Sequence, residues 1–192
     1  MSAAGLDQFA TKFSESDDPW LTFTDRDEAM KRRAILRALG PGPIGRVLEL
    51  AAGNGSNSAA IAPRALRLDA TEGTQEGTQL TAEAIAPWHR ARALRLALPA
   101  PFPRPLYDVV VIAELLYYLS PRDMRAVAEA IARALRPGGT LVLAHHRIDY
   151  YDFAQHAGGI HERFLGGMRS RTNCRIVRRT GRWIVAVVKL TE

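Results

Sequence analysis

The sequence contains little that points to an oxidising compartment or to a lipid environment. Cys174 is the one cysteine among 192 residues, which excludes an internal disulfide and a cysteine-based metal cluster and favours a reducing compartment. No apolar run approaches the roughly 20 residues that cross a membrane. The acidic first residues lack the basic and then apolar pattern of a signal peptide. We therefore expect a cytoplasmic protein that does not associate with membranes.

Lysine is also scarce, because arginine supplies 23 of the 26 positive charges. The net charge of +6 invites a nucleic-acid partner, but most arginines are scattered among alanines, which indicates a compositional preference. The one cluster comprises Arg169, Arg171, Arg175, Arg178, Arg179 and Arg182. A polyanion-binding surface at this cluster is the lesser alternative. Since no separate RNA-binding module is visible, we do not expect nucleic acid as a partner.

Length and composition suit a single domain with one sizeable core over residues 1–192. Residues 1–20 are polar and acidic and are predicted to form an arm. A leading helix is predicted within residues 21–40, because Asp25 and Glu28 have the spacing of a capping box. Residues 46–192 are predicted to form an α/β core.

Short apolar runs alternate with helical patterns through this core. The predicted strands are 46–50, 67–71, 92–96, 108–113 and 140–145, followed by a hairpin of 174–179 and 183–189. The unbroken valine and isoleucine run of 108–113 is typical of a strand in the middle of a parallel sheet. The pattern predicts an α/β fold, a doubly wound, seven-stranded, mostly parallel sheet with a C-terminal antiparallel hairpin.

The end of the first strand carries the pattern of a nucleotide site. Glu49 lies near the end of the strand, and the turn containing Gly53 and Gly55 brings backbone amides to the start of a helix. Glu72 follows the second strand, and Gly73 leaves space beside it. The Glu72 carboxylate at this position can bind the two hydroxyls of a ribose.

Details of the turn favour S-adenosylmethionine (SAM) over a dinucleotide such as NAD. A dinucleotide fold places glycine or alanine three residues after the second glycine, where this chain has Ser58. SAM has no phosphate and needs less room there, and Glu49 can interact with the cationic amino group of its methionine tail. Asp69 is the rival ligand for the ribose, but it lies inside the predicted strand.

Several segments resemble the motif series of class I SAM-dependent methyltransferases. They are residues 49–55 with Glu72, residues 108–119 and residues 135–142. A narrower resemblance, carried by residues 17–20 and 113–119, is to the NodS-like subfamily, the nodulation protein S N-methyltransferases that act on the free amine of a chitooligosaccharide. The resemblance implies a Rossmann-like methyltransferase with SAM as cofactor.

The resemblance also implies roles for individual residues. Ala51, Gly53 and Gly55 would line the methionine and ribose of the cofactor, and Glu72 would bind the ribose hydroxyls. The residues that would border the sulfonium are Ala113, Glu114 and Leu115. Trp20 would help the arm to close over the cofactor.

Two positions depart from the family pattern. Ala51 stands where the family has the first glycine of the turn, which adds a methyl group beside the ligand. Ala97 stands where many members carry an acid for the adenine amino group, so backbone groups at Ala97 and Leu98 are left to contact adenine. These departures keep open a nucleoside-binding or scaffold protein without turnover.

The acceptor site is expected where the fourth and fifth strands end, the edge at which α/β sheets bind ligands. Methyl transfer depends largely on positioning, but an amine or hydroxyl acceptor must also lose a proton to a nearby base. His145 and His146 are the candidate catalytic bases, and alternation along the strand lets only one of them point toward the ligand. The residues predicted to contact the acceptor are Tyr117, Tyr118, Arg147 and Tyr151.

The sequence therefore predicts a SAM-dependent methyltransferase that acts on a small polar molecule. An amine, such as that of an amino sugar, is favoured as the acceptor, and O-methylation of a hydroxyl is the alternative. No spacing of ligating residues indicates a metal ion. No oligomeric state is predicted.

Overall fold

A computed structural model describes residues 3–168 and 171–191 of the chain as a seven-stranded sheet with helices on both faces. The helices are α1 (Ala3–Glu15), α2 (Arg26–Leu39), α3 (Ser56–Ile61), α4 (Gln75–Ile85), α5 (Pro121–Ala134) and α6 (Ile160–Gly166). The strands are β1 (Ile44–Leu50), β2 (Ala65–Glu72), β3 (Ala91–Arg95), β4 (Tyr107–Ala113), β5 (Leu135–His146), β6 (Arg171–Arg179) and β7 (Trp183–Thr191). Short 3-10 turns follow α3 and β4.

The strand order confirms the predicted doubly wound sheet. The order is β3-β2-β1-β4-β5-β7-β6, in which β1 to β5 are parallel and β7 is antiparallel to both of its neighbours. The chain winds outward in one direction from β1 and in the other from β4. The crevice beyond the carboxyl ends of β1 and β4 is therefore the expected ligand site.

The valine and isoleucine run of β4 lies at the centre of the sheet, as predicted. Val109 and Val111 pack into one core layer, and Val110 and Ile112 pack into the other. Each of these four side chains is buried. Since both faces of β4 are covered by helices, no alternation of polar and apolar residues is needed along it.

The start of α2 agrees with the capping signal in the sequence. The Asp25 carboxylate accepts hydrogen bonds from the backbone N–H groups of Asp27 and Glu28, at 2.7 and 3.0 Å. Such a cap stabilises a helix by about 1 kcal/mol. The helix accordingly begins at Arg26 and ends at Leu39, before Gly40.

The polar arm contains a helix, α1, that the sequence analysis did not identify. Leu6, Phe9 and Phe13 are spaced so that they share one face of this helix. Phe13 is buried and packs on α4 beside Gly77, and the Trp20 ring packs on Phe9 and Phe13. This narrow apolar stripe was not recognised in the sequence because the first 20 residues are polar overall.

Described arginines of the C-terminal cluster lie at the surface, and one of them also packs on an aromatic ring. Arg169 and the side chain of Arg171 lie outside the described residues. Arg175 and Arg178 are both exposed, and the Arg178 guanidinium also lies 5.6 Å from the centre of the Trp183 ring. Among the described helices, none has the length and apolarity to cross a membrane.

Candidate functional site

A cavity of about 500 Å³ lies at the carboxyl ends of β1, β2, β4 and β5, beneath α1 and the start of α2. Its volume falls within the roughly 300–1,000 Å³ typical of small-molecule sites. The predicted site residues that line it are Trp20, Ala51, Gly53, Glu72, Gly73, Leu98, Ala113, Glu114, Leu115, Tyr117, Tyr118, His146 and Tyr151.

The turn after β1 forms one wall of the cavity. Ala52 N–H donates to the Thr71 carbonyl at 2.8 Å, which joins the turn to β2. Gly53 has a φ of 63°, and a Cβ atom there would meet nothing closer than Phe13 at 3.8 Å. The backbone at Gly53 is therefore open to a ligand.

Glu72 is held between this turn and the start of α4. Its carboxylate accepts hydrogen bonds from Gly53 N–H at 3.1 Å, from Thr74 N–H at 3.0 Å and from the Thr74 hydroxyl at 3.1 Å. Burial raises the pKa of Glu72, whereas these hydrogen bonds oppose the shift. Glu72 lines the cavity wall, so its carboxylate lies within reach of a bound ligand.

The structure does not bring Glu49 to the cavity wall. Its side chain is buried, and its carboxylate accepts a hydrogen bond from the Ser58 hydroxyl at 2.5 Å. Burial raises the pKa of Glu49 to about 7, against the effect of that hydrogen bond. The Glu49 side chain therefore links β1 to α3 beneath the turn. In this position it does not make the predicted contact with the amino group of the methionine tail.

Gly55 serves helix packing and does not line the cavity. Its φ is 81°, and a Cβ atom there would lie 2.8 Å from the Ala84 Cβ and 2.9 Å from the Thr81 Cα. Ala97 is exposed and is also absent from the wall, although its neighbours Leu96 and Leu98 contribute to it. The predicted contacts of Gly55 and Ala97 with a cofactor are therefore not supported.

His145, one of the two candidate bases, is fully buried and does not reach the cavity. Its Nε2 atom accepts hydrogen bonds from the backbone N–H groups of Leu115 and Leu116, at 3.3 and 3.2 Å. Its Nδ1 atom lies 3.0 Å from His161 Nε2. Burial lowers the pKa of His145 well below its ordinary value, so the ring is neutral. These contacts give His145 a structural role in place of the predicted catalytic one.

His146 faces the cavity on the opposite side of β5. Its Nε2 atom lies 3.9 Å from a Glu114 carboxylate oxygen and 4.0 Å from a Glu28 carboxylate oxygen. Its Nδ1 atom is buried without a hydrogen-bond partner. The position of its ring at the cavity wall lets His146 contact a polar group bound there.

Glu114 is the centre of the polar network beside His146. Its carboxylate pairs with the Lys31 ammonium, and it accepts hydrogen bonds from the Tyr117 hydroxyl and from His146 N–H, the last at 3.1 Å. Burial opposes ionisation, but the Lys31 ammonium lowers the pKa of Glu114 to about 2. Glu114 is therefore a permanent anion and is not itself a base near neutral pH.

The two remaining predicted acceptor residues, which lie in the loop after β5, take different positions. Tyr151 is exposed at the cavity mouth. Arg147 points away from the cavity, because its guanidinium donates to the Thr180 carbonyl at the tip of the β6–β7 hairpin. Phe153, in the same loop, stacks on Tyr117 at 3.7 Å and packs edge-on against Tyr118 at 5.2 Å.

Sequence reasoning also missed Asn54 and Lys31. The Asn54 side chain donates to the Asp18 carboxylate at 2.9 Å and to the Asp17 carbonyl at 3.1 Å, and thereby joins the arm to the turn after β1. Asn54 is the residue between the two glycines of the Gly-x-Gly turn, and this position could have marked it as part of the site. Lys31 stands on the charged helix α2, where nothing marked it as buried.

Backbone strain is concentrated around the cavity. Leu21, Ala51 and Glu114 are the described non-glycine residues with a positive φ, at 54°, 54° and 53°, and all three line the cavity. Such conformations cost on the order of 1–3 kcal/mol each and are commonest at functional sites. The strain at Ala51 is the structural consequence of the alanine that replaces the glycine of the resembled family.

Comparison with known proteins gives consistent matches to methyltransferases. Residues 48–141, which run from the end of β1 into β5, match the family model described as a methyltransferase domain. Nodulation protein S from Rhizobium tropici is 30% identical over 135 residues. That match spans 69% of this chain but 56% of the relative, so the chain spans little more than half of its length.

Solved structures share the fold at lower identity. N-methyltransferase NodS from Bradyrhizobium japonicum WM9, in complex with S-adenosylhomocysteine (SAH), superposes with a TM-score of 0.84 at 19% identity, covering 98% of this chain and 99% of that one. Phosphoethanolamine N-methyltransferase 1 from Haemonchus contortus, bound to phosphoethanolamine and SAH, gives a TM-score of 0.71 at 18% identity, covering 100% of this chain and 50% of that one.

Proposed function

We propose that this chain is a class I methyltransferase, similar to nodulation protein S, and that it transfers the methyl group of SAM to the nitrogen of a small polar amine. The observation that carries the proposal is one continuous cavity with two unlike halves. The half formed by the turn after β1 and by Glu72 suits a nucleoside. The half formed by Glu114, Tyr117 and His146 suits an acceptor that must lose a proton.

The residues of the first half fit the cofactor. Gly53 presents an open backbone face, and the Glu72 carboxylate at the cavity wall can accept a hydrogen bond from a ribose hydroxyl. Ala113 and Leu115 border the junction of the two halves. When bound, SAM supplies a methyl group on a sulfonium, and transfer leaves the electron pair of the broken C–S bond on sulfur.

The second half supports deprotonation of an ammonium group. His146 accepts a proton from the acceptor nitrogen, whose freed lone pair then forms the new N–C bond. The carboxylates of Glu28 and Glu114 lie 4.0 and 3.9 Å from its Nε2 atom. His146 returns the proton to solvent after transfer, so the residue is unchanged over one cycle.

An amine is favoured over a hydroxyl as the acceptor. The solved neighbours named above are described as N-methyltransferases. The carboxylate-rich surroundings of His146 also attract a cation, and a primary amine arrives as an ammonium ion at neutral pH. An amino sugar is a suitable probe, because the cavity wall combines aromatic rings with charged groups.

The test compares glucosamine with N-acetylglucosamine, which has the same hydroxyls but a blocked amine. SAH formation is measured by mass spectrometry at saturating SAM. The proposal predicts turnover of glucosamine alone and a loss of about 10²–10⁴-fold in kcat for His146→Asn. Equal turnover of both sugars would indicate O-methylation. SAH binding without turnover of any amine or hydroxyl would indicate a nucleoside-binding protein.

A further inference from the structure

The cavity is acidic although the chain as a whole carries a net charge of +6. Among the described side chains that line it, carboxyl groups outnumber lysines and arginines by six to three. The carboxyl groups belong to Asp25, Asp27, Glu28, Glu72, Glu114 and Asp152. The lysines and arginines are Lys12, Lys31 and Arg182.

The most buried of these cations is already neutralised by two carboxylates. Lys31 is 2% exposed, and its ammonium lies 2.7 Å from Glu28 and also pairs with Glu114. Burial opposes its charge, yet the two carboxylates raise the pKa of Lys31. An anionic group of a ligand would have to displace a carboxylate to reach this ammonium.

The other two cations have partners as well. The Lys12 ammonium on α1 lies 3.4 Å from the Asp152 carboxylate in the loop after β5. The Arg182 guanidinium lies 3.7 Å from the Asp27 carboxylate. Every lysine and arginine that the structure describes at the cavity therefore faces a carboxylate.

The start of α2, which also lines the cavity, offers no alternative position for an anion. Helix N-termini attract anions through their free N–H groups and their dipole. Here the Asp25 carboxylate accepts hydrogen bonds from the N–H groups of Asp27 and Glu28. The chain's own carboxylate thus occupies the place that a phosphate or carboxylate of a ligand would need.

Aromatic rings complete the acceptor half. Phe153 is surrounded by Tyr117, Tyr118 and Tyr150, with ring centres at 3.7, 5.2 and 5.4 Å. All four residues line the cavity. Ring faces attract ammonium groups and lie well against neutral ring compounds, but they give no favourable contact to an anion.

We propose that the acceptor is an amine whose other groups are neutral or cationic, and that the acceptor half of the cavity rejects amines bearing a phosphate. The inference rests on the proposed methyl transfer to an amine. A phosphorylated acceptor meets an excess of carboxylates and no unpaired cation among the described cavity residues, which disfavours it by repulsion and desolvation. The acceptor class therefore differs from the phosphoethanolamine bound by the Haemonchus contortus neighbour.

The test uses matched pairs that differ only by a phosphate: ethanolamine with phosphoethanolamine, and glucosamine with glucosamine 6-phosphate. SAH formation at saturating SAM gives kcat/KM for each compound. The expected result is a preference on the order of 100-fold for the unphosphorylated member of a pair. Equal or better use of the phosphorylated member would overturn the inference.

Two variants examine the charge pairing itself. Asp152→Asn leaves the Lys12 ammonium without its carboxylate, and we expect it to reduce the preference in each pair by about tenfold. Asp7→Asn removes the same charge from an exposed position on α1 outside the cavity, and it should leave the preference unchanged. An unchanged preference in Asp152→Asn would contradict the role given to the Lys12–Asp152 pair.

Calorimetry with SAH, run on the same protein, separates the two proposals. If SAH binds and a phosphorylated amine is the better acceptor, the inference on acceptor class fails and methyl transfer to amines stands. If SAH binds and no amine is methylated, the proposed transfer to an amine fails together with the inference. Absence of SAH binding would contradict the cofactor assignment on which both depend.

Discussion

The Nδ1 atom of His145 lies 3.0 Å from the Nε2 atom of His161, deep in the core between β5 and α6. The other nitrogen of His145 accepts two backbone N–H groups, so its proton resides on Nδ1 and is donated to His161. Burial lowers the pKa of both rings, that of His161 to about 4. The pair therefore stays neutral near physiological pH and supports the corner after β4 that presents Glu114 to the cavity.

This arrangement predicts a larger loss of stability for one substitution of His145 than for another. His145→Leu leaves two buried N–H groups without an acceptor and should lower the free energy of unfolding by about 2–4 kcal/mol. His145→Gln retains an acceptor oxygen and should restore about half of that loss or more. Urea denaturation of the three proteins measures the difference. Equal stability of the Leu and Gln variants would contradict the hydrogen-bonding role.

The strain at Ala51 predicts a stabilising substitution. Ala51→Gly removes the Cβ atom from a left-handed conformation, and relief of this strain should exceed the entropy cost of glycine by about 0.5–1 kcal/mol. Ala52→Gly is the matched control, because the neighbouring residue lacks a positive φ and should lose stability. A lower denaturation midpoint for Ala51→Gly than for the unchanged chain would contradict this account.

The raised pKa of Glu49 predicts a specific dependence of the free energy of unfolding on pH. Its pKa is about 7 in the folded chain and near 4.5 when exposed, so between these values the folded state binds the additional proton. The contribution of Glu49 to the free energy of unfolding therefore falls as pH rises from about 4.5 to 7, by on the order of 3 kcal/mol, and then levels off.

Glu49→Gln isolates this contribution, because glutamine keeps the shape and an acceptor for Ser58 but does not titrate. The stability of the unchanged chain relative to the variant should decline between pH 5 and pH 8. Urea denaturation across this range gives the difference. A difference that stays constant, or that grows with pH, would show that the Glu49 pKa is not raised.

The parts that sequence reasoning predicted depend on local signals. The cap of α2 was predictable because Asp25 and Glu28 have the three-residue spacing of a capping box. The strand β4 was predictable because both of its faces are covered, which makes Tyr107–Ala113 an apolar run. Glu72 was identified because acids at strand ends meet at one edge of a parallel sheet. Each of these inferences needed only neighbouring residues or a fixed sheet geometry.

The parts that were missed depend on tertiary contacts. Alternation along β5 showed that one of His145 and His146 faces the ligand, but only the position of α6 shows that His145 is the buried one. Gly55 was predicted as a ligand contact from the Gly-x-Gly turn and the family resemblance. Its packing against α4 could not be seen in the sequence, because α4 is distant along the chain. Lys31 gave no signal, since its two carboxylate partners meet only after folding.

The central claim is that this cavity binds SAM through the Glu72 carboxylate, and calorimetric titration with SAH tests it most directly. The account predicts SAH binding, no binding of NAD, and an affinity at least about tenfold lower for Glu72→Gln, which loses a charge-assisted hydrogen bond to the ribose. Glu76→Gln, a neighbouring change outside the cavity wall, should bind SAH normally. Absence of SAH binding, or equal affinity in Glu72→Gln, would contradict the claim.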